Sequence, residues 1–164
     1  MAANTLREPA ILAAQHTAVR RAVVKPDQLA DWIPSACAQV AAFLHHHSIP
    51  PIGYPFARCR QLPDGLIEVD AGFPIAAPLT GSAIHSGGVE PSTLPAGPAV
   101  LLRHNGPEDK VATTARQAID DWLHLQDAER SGAPWAIYHD LPRRNRARRR
   151  IEVVQPISFS KVAV

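Results

Sequence analysis

The sequence predicts an α+β fold made of two copies of a strand–helix–hairpin unit. Their antiparallel sheets pack about a pseudo-twofold axis, with a central ligand cleft between the copies. Three observations carry this expectation. An internal repeat runs through the chain, each copy has one segment of helical periodicity, and a hairpin signal follows each such segment. The 164 residues are read as a single domain, 1–164, containing pseudo-repeats at about 10–76 and 97–158.

The repeat is visible in three places. ILAAQHT (11–17) parallels AVLLRHN (99–105), which aligns His16 with His104. Pro55-Phe56-Ala57 parallels Pro134-Trp135-Ala136. Ile67-Glu68-Val69 returns as Ile151-Glu152-Val153, and a Pro-Ile pair follows each, at Pro74-Ile75 and Pro156-Ile157. The order is kept while the spacing drifts, as it does when loop lengths differ between copies.

In the first copy, residues 10–24 are rich in Ala, Val, Ile and Leu and read as a strand. Residues 34–47 place Cys37, Val40, Ala41 and Leu44 at helical spacing, with Pro34 tolerated in a first turn. Residues 27–33 offer a preceding helical turn, and Pro50-Pro51 stops the helix near Ser48. YPFARCRQL and LIEVDAGFPI flank Pro63-Asp64-Gly65, a hairpin signal. The second copy repeats the plan. Strand 98–104 leads to Gly106-Pro107, with proline suited to a first helical position. Val111, Ala115, Ala118, Ile119, Trp122 and Leu123 then form an apolar stripe, and PWAIYHDL pairs with RRIEVVQPI. Residues 76–97, rich in Gly, Pro and Ser, bridge the copies, with a short strand expected near 82–85.

Composition excludes several classes. A hydrophobic fraction of 46% with 20% charged residues supports a packed core and rules out wholesale disorder. No stretch approaches the ~20 apolar residues of a membrane span, and the start lacks a signal-peptide pattern, so a cytoplasmic protein with no membrane partner is expected. Two cysteines, Cys37 and Cys59, are too few for a disulfide framework or a thiolate metal site; they read as reduced packing residues, with one disulfide as the alternative. His45, His46 and His47 point ~100° apart on a helix and cannot share one ion. No G-x-S-x-G, P-loop or G-x-G-x-x-G motif occurs, so no metal or cofactor is expected. The net charge is +2, but six arginines crowd into RRNRARRR; without them 11 basic residues face 15 acidic ones, a balance of −4. That cluster, Arg143 to Arg150, is either a solvated hairpin loop or a contact for nucleic acid or an acidic protein.

GYPFARC, EVDAGFPI, LPAG followed by H-x-G-P, a helix ending in DWL, and PWAIY occur in that order. This ordered set resembles the GyrI-like family, also called the bacterial transcription activator effector-binding domain, over about residues 10–157. The resemblance implies a duplicated fold of SHS2-like repeats whose cleft binds small, flat, lipophilic and often cationic molecules. Family members serve as drug-sensing domains of regulators, stand-alone proteins, gyrase modulators and, in some cases, hydrolases of cyclopropane-bearing genotoxins. Family regulators carry a helix-turn-helix module ahead of this domain. Only about nine residues precede the first strand here, so a stand-alone member is expected.

The departures from the family pattern bear on chemistry. Where the family often has an acid after the Trp of its PW motif, this chain has Ala136. Gly-Pro-Tyr-Glu becomes Gly106-Pro107-Glu108-Asp109, a frequent aromatic on the first hairpin is Cys59, and the acid before Ala-Gly is kept as Asp70. The candidate ligand-binding residues are therefore Phe56, Cys59, Asp70, His104, Glu108, Ala136 and Tyr138. Strand alternation puts Ile67, Val69, Ala71 and Phe73 under the helix, with Glu68 and Asp70 on the other face. Ala136 and Tyr138 share a face opposite Trp135 and Ile137, and under the repeat Cys59 corresponds to Tyr138.

Each candidate has two readings. Asp70 attracts a cation or directs a water, or else it pairs with Arg58 or Arg60. Glu108 lines the pocket, or it is a first-turn acid at a helix N-terminus. Tyr138 offers a flat ring and a hydroxyl. His104 lines the cleft or stabilises a turn. Phe56 and Trp135 are expected beneath the helices, and Trp122 in the core. The expected function is binding of hydrophobic, planar aromatic small molecules, cations included, in drug sensing, sequestration or tolerance. The alternative is a hydrolase of strained-ring or other electrophilic genotoxins, in which a carboxylate directs water.

Overall fold

Antiparallel pairing runs throughout this computed structural model, which describes residues 3–6, 9–81, 86–106, 111–140 and 149–159. Along the chain the elements are β1 (Ala3–Leu6), β2 (Ala10–Leu12), β3 (Gln15–Val24), α1 (Leu29–His46), β4 (Phe56–Gln61), β5 (Ile67–Ile75), β6 (Glu90–Leu94), β7 (Gly97–Gly106), α2 (Val111–Gln126), β8 (Ala128–Arg130), β9 (Trp135–Tyr138) and β10 (Arg149–Phe159). This is the predicted α+β class. The chain divides into two compact units, Ala13–Ala96 (the first unit) and Met1–Leu12 with Gly97–Val164 (the second). The first unit orders its strands β4-β5-β3-β6. In the second, β1 and β2 both pair with β7, followed by β10 and then β9, while β8 pairs with the far end of β10.

The strand expected over 10–24 is two strands. Chain pairing breaks at the exposed Ala13 and Ala14: β2 bonds to β7 in the second unit, whereas β3 bonds to β5 in the first. Each piece satisfies its backbone groups on a different partner strand, and apolar composition alone carries no sign of that division.

Helix α1 buries Ile33, Ala36, Cys37, Val40 and Leu44, one stripe at helical spacing. It begins at Leu29, directly after a 3-10 turn at Pro26–Gln28, so Pro34 lies inside the helix. The carbonyl its ring leaves without a partner belongs to exposed Ala30, which water can serve. The C-terminus closes as a Schellman motif. Ser48 takes a left-handed φ of 56°, its N–H donates to the His45 carbonyl at 3.2 Å, and Ile49 N–H donates to Leu44 at 2.9 Å. Ile49 thereby folds back onto the cluster of Ala18, Val40, Leu44, Ile75, Leu79 and Val89. Each fully buried Val, Leu or Ile there contributes about 1.5–3 kcal/mol.

The turn at Pro63-Asp64-Gly65 forms as the sequence predicts. Gly65 has φ 84°, Leu62 N–H donates to Leu66 at 2.9 Å, and Asp64 Oδ1 accepts from Leu66 N–H at 3.1 Å. In the second unit α2 packs Ile119 and Leu123, flanked by Trp122, against Val100, Val153 and Ile157. Strand β8, unforeseen in the sequence, joins this unit through polar contacts. Arg130 donates to Asp120 on α2 and to Gln155 on β10, and Gln155 Nε2 donates to the carbonyls of Gly132 at 2.9 Å and Pro156 at 2.8 Å. Gln155 is buried with its amide fully used, the condition under which a core polar group is tolerated. The strand expected near 82–85 and the Pro107 helix start lie outside the described residues. Among the described residues, no helix is long and apolar enough to cross a membrane.

Candidate functional site

Paired residues on antiparallel strands point to the same side, so the register sorts each sheet into two faces. In the first unit, Ala18 and Phe73 pack with α1, which fixes their face as the helix side. Val69 and Ala71 share it, and so do Ala57 and Cys59, which pair with Ala71 and Val69 respectively. The opposite face carries Arg58, Asp70 and Arg21 in one row and Phe56, Gly72, Val19 and Glu90 in the next. Phe56 is buried at 2% exposure on that face, not beneath α1 as expected. The reason is its register with Gly72, one step out of phase with the α1-side residues.

Asp70 is the most committed polar group of this unit. Its side chain is 9% exposed, Arg21 Nε lies 2.6 Å from Oδ1, and Arg21 and Arg58 NH2 atoms each lie 3.3 Å from Oδ2. The hydrogen bond to Asp70 pushes Arg21's guanidinium pKa further up. Two guanidiniums on one carboxylate leave the row net positive, with both carboxylate oxygens occupied. Of the two partners weighed from sequence, Arg58 is used; Arg60 instead binds Glu68 at 3.1 Å. Arg21 sits on another strand, 49 residues away in sequence, and only the Arg21–Asp70 register brings it near.

Burial disfavours the thiolate at both cysteines. It raises Cys37 to about 12, and burial together with the charge of Asp70 raises Cys59 to about 11.

In the second unit, Val153 packs with the α2 cluster and pairs with Ala136 and Leu102. Tyr138, Ile151 and His104 form the neighbouring row on that same α2 side. Ala136 is half-buried, Tyr138 is 8% exposed and His104 is fully buried, so His104 is a core residue. Trp135 and Ile137 take the opposite face with Val154 and Glu152, so Trp135, like Phe56, is buried on the side away from its helix. Glu152 lies 3.8 Å from Arg103 there.

Glu108 lies outside the described residues, as does most of the arginine run. Its last two members open β10, where Arg150 bonds Asp140 through Nε at 3.1 Å and through its backbone N–H at 3.0 Å. These bonds hold the Asp140 carboxyl below its ordinary range. A cavity of about 300 Å³ in the first unit is lined by Ser48, Ile49, Pro50, Ala76, Ala77, Pro78, Leu79 and Thr80, none of them a sequence candidate. Among the described residues no group of three His, Cys, Asp or Glu side chains is placed to hold a metal. The register thus brings Ala136, Tyr138 and His104 onto the α2 side of one unit and Cys59 onto the α1 side of the other, and it sends Phe56 and Asp70 to an opposite face.

Neither protein-family models nor curated proteins match the sequence. Solved structures do. The chain aligns with EcmrR in its DNA complex at TM-score 0.71 and 17% identity, over 97% of this chain and 58% of that one. The isolated EcmrR C-terminal domain aligns at TM-score 0.67 and 14% identity, covering 98% of both chains. A structure described as a hydrolase from Listeria innocua gives TM-score 0.67 at 12% identity, over 92% and 91%. SAV2435, solved with bound tetraphenylphosphonium, gives TM-score 0.64 at 12% identity, over 92% and 93%. At these identities the likeness is one of fold, and the fold is GyrI-like. The chain spans only part of full-length EcmrR, the part that corresponds to its C-terminal domain.

Proposed function

We propose, with the GyrI-like fold as premise, that this chain binds hydrophobic, planar aromatic small molecules, in drug sensing, sequestration or tolerance. The observation that carries the proposal is the shared fold, over 92% of this chain, with a protein solved holding an aromatic ligand. The contacts proposed are Ala136 and Tyr138 on the α2 side of the second unit. Tyr138 gives a flat ring with one hydroxyl, and half-buried Ala136 presents a methyl in the neighbouring row.

Thermal unfolding against a panel of flat aromatic compounds tests this. A ligand at a hundred times its Kd adds about 2.7 kcal/mol, which raises the midpoint by roughly 5–10 °C for a chain of this size. A panel with no midpoint rise overturns the proposal. Hydrolysis is the second reading, supported by the hydrolase among the fold neighbours. It needs a carboxylate that can direct water, and Asp70 has both oxygens bonded to arginines. A new product mass after incubation with a cyclopropane-bearing reagent would favour that reading; recovery of intact reagent at stoichiometric protein favours binding.

A further inference from the structure

The cavity of about 300 Å³ in the first unit holds none of the contacts proposed above, and two short walls build it. One is Ser48-Ile49-Pro50, where the chain leaves α1, and the other is residues 76–80, where it leaves β5. Backbone contacts tie the walls together: Pro51 bridges to Ile75, and Ile52 N–H donates to the Pro74 carbonyl at 3.0 Å. Pro50 and Pro78 fix one φ in each wall. Ile49 and Leu79, one from each wall, pack into the cluster around Val40 and Leu44, so the apolar part of the lining is anchored in the core. A cavity of about 150 Å³ accepts benzene, so this one admits a single ring with a short side chain. It lies at the lower end of the size range of ligand pockets.

The described lining residues include the hydroxyls of Ser48 and Thr80 and no ionisable side chain. Charge enters instead through the end of α1. His47, Ser48 and Ile49 donate their N–H groups to the carbonyls of Phe43, His45 and Leu44. The carbonyls of His46 and His47 would next be served by residues 50 and 51, and both are prolines, which have no N–H. The aligned dipoles of the helix add a partial negative charge of about half a unit at this end. An ammonium group brought to the Ser48 wall therefore meets opposite charge and open carbonyls, whereas a carboxylate meets like charge. Ser48 and Thr80 are exposed, so the ammonium keeps part of its water while the ring beside it is buried. We infer that this cavity is a second small-molecule site, for a compact single-ring molecule that carries an ammonium group. Its ring rests on Ile49 and Leu79, and its N–H groups donate to the α1 end and the two hydroxyls. The site is separate from Ala136 and Tyr138, which belong to the second unit.

The test titrates cyclohexylmethylamine, cyclohexylmethanol and cyclohexanecarboxylate into the full chain, with isoleucine and leucine methyls labelled for magnetic resonance. The amine is expected to shift the Ile49 and Leu79 methyls to saturation. It should bind at least tenfold more tightly than the carboxylate, with the alcohol between them. Ala77→Trp, which fills the cavity from an exposed lining position, is expected to weaken the amine at least tenfold and to leave the unfolding midpoint nearly unchanged. Carboxylate binding as tight as that of the amine, or tighter, overturns the inference. So does a lack of saturable shifts at Ile49 and Leu79, or amine binding that a folded Ala77→Trp chain retains in full.

Discussion

The two faces of each sheet divide the work differently. The side away from the helix holds the described strand carboxylates, most of them paired with arginines: Arg21 and Arg58 on Asp70, Arg60 on Glu68, Arg103 on Glu152. The helix side holds apolar and small residues, with Ala136 and Tyr138 at β9 and Cys59 at β4. A buried ion pair specifies register more surely than it adds stability, whereas an apolar surface beside an aromatic ring can accept a ligand without desolvating charge. Paired charge on one face and apolar packing on the other is the lesson of the comparison, and the proposed ligand contacts Ala136 and Tyr138 lie on the second. Substitutions on the first face should cost stability alone, and substitutions on the second should change affinity.

The largest effect is expected where the sheet itself is closed. Gly72 pairs with Val19, and a Cβ added there would fall 1.9 Å from the Ala18 carbonyl oxygen. Gly72→Ala must push β3 from β5, so we expect a loss of about 3 kcal/mol or more, a midpoint lower by roughly 6–12 °C. The second unit gives the contrast: a Cβ at Gly132 meets Pro156 no closer than 3.8 Å, so Gly132→Ala should move the midpoint little. Equal losses from the two would break the account of Gly72 as a close-approach position.

Asp70→Asn comes next. It leaves Arg21 and Arg58 facing each other without their shared carboxylate. Because Arg21 is 45% exposed, the expected cost is discounted to about 2 kcal/mol, read by denaturant unfolding. Affinity for a neutral aromatic ligand should stay unchanged, and a tenfold loss of affinity would put Asp70 back at the ligand. Tyr138→Ala should do the reverse, weakening that affinity tenfold or more, about 1.4 kcal/mol, in titrations run well below both midpoints. The smallest effect lies outside both faces. Ser48 holds a left-handed φ of 56° at the end of α1, so Ser48→Gly should stabilise by about 0.5–1 kcal/mol in the same unfolding experiment.

Much of the fold is legible in the residues because local rules suffice for it. The α1 stripe, the Pro63-Asp64-Gly65 turn and the placing of Asp70 away from the helix all follow from spacing and alternation. What was not legible depends on register between strands far apart in sequence. Nothing in ILAAQHT says that Ile11 pairs with Pro98 and His16 with Ile75. Nothing in AER predicts β8, whose place is set by Gln155 and Arg130. For the candidate site, alternation grouped Ala136 with Tyr138 correctly but could not say which of the two faces lies under α2. Large aromatics are usually core, which points Trp135 and Phe56 to the helix side; they are core, on the other side.

One measurement separates the two faces directly. Ala136 lies on the α2 side and Ala99 on the opposite side of the same unit. Methyl spectra of alanine-labelled protein, titrated with a neutral aromatic compound, should show ring-current shifts at Ala136 and none at Ala99. Shifts at Ala99 with Ala136 unmoved would contradict the assignment of ligand chemistry to the helix side.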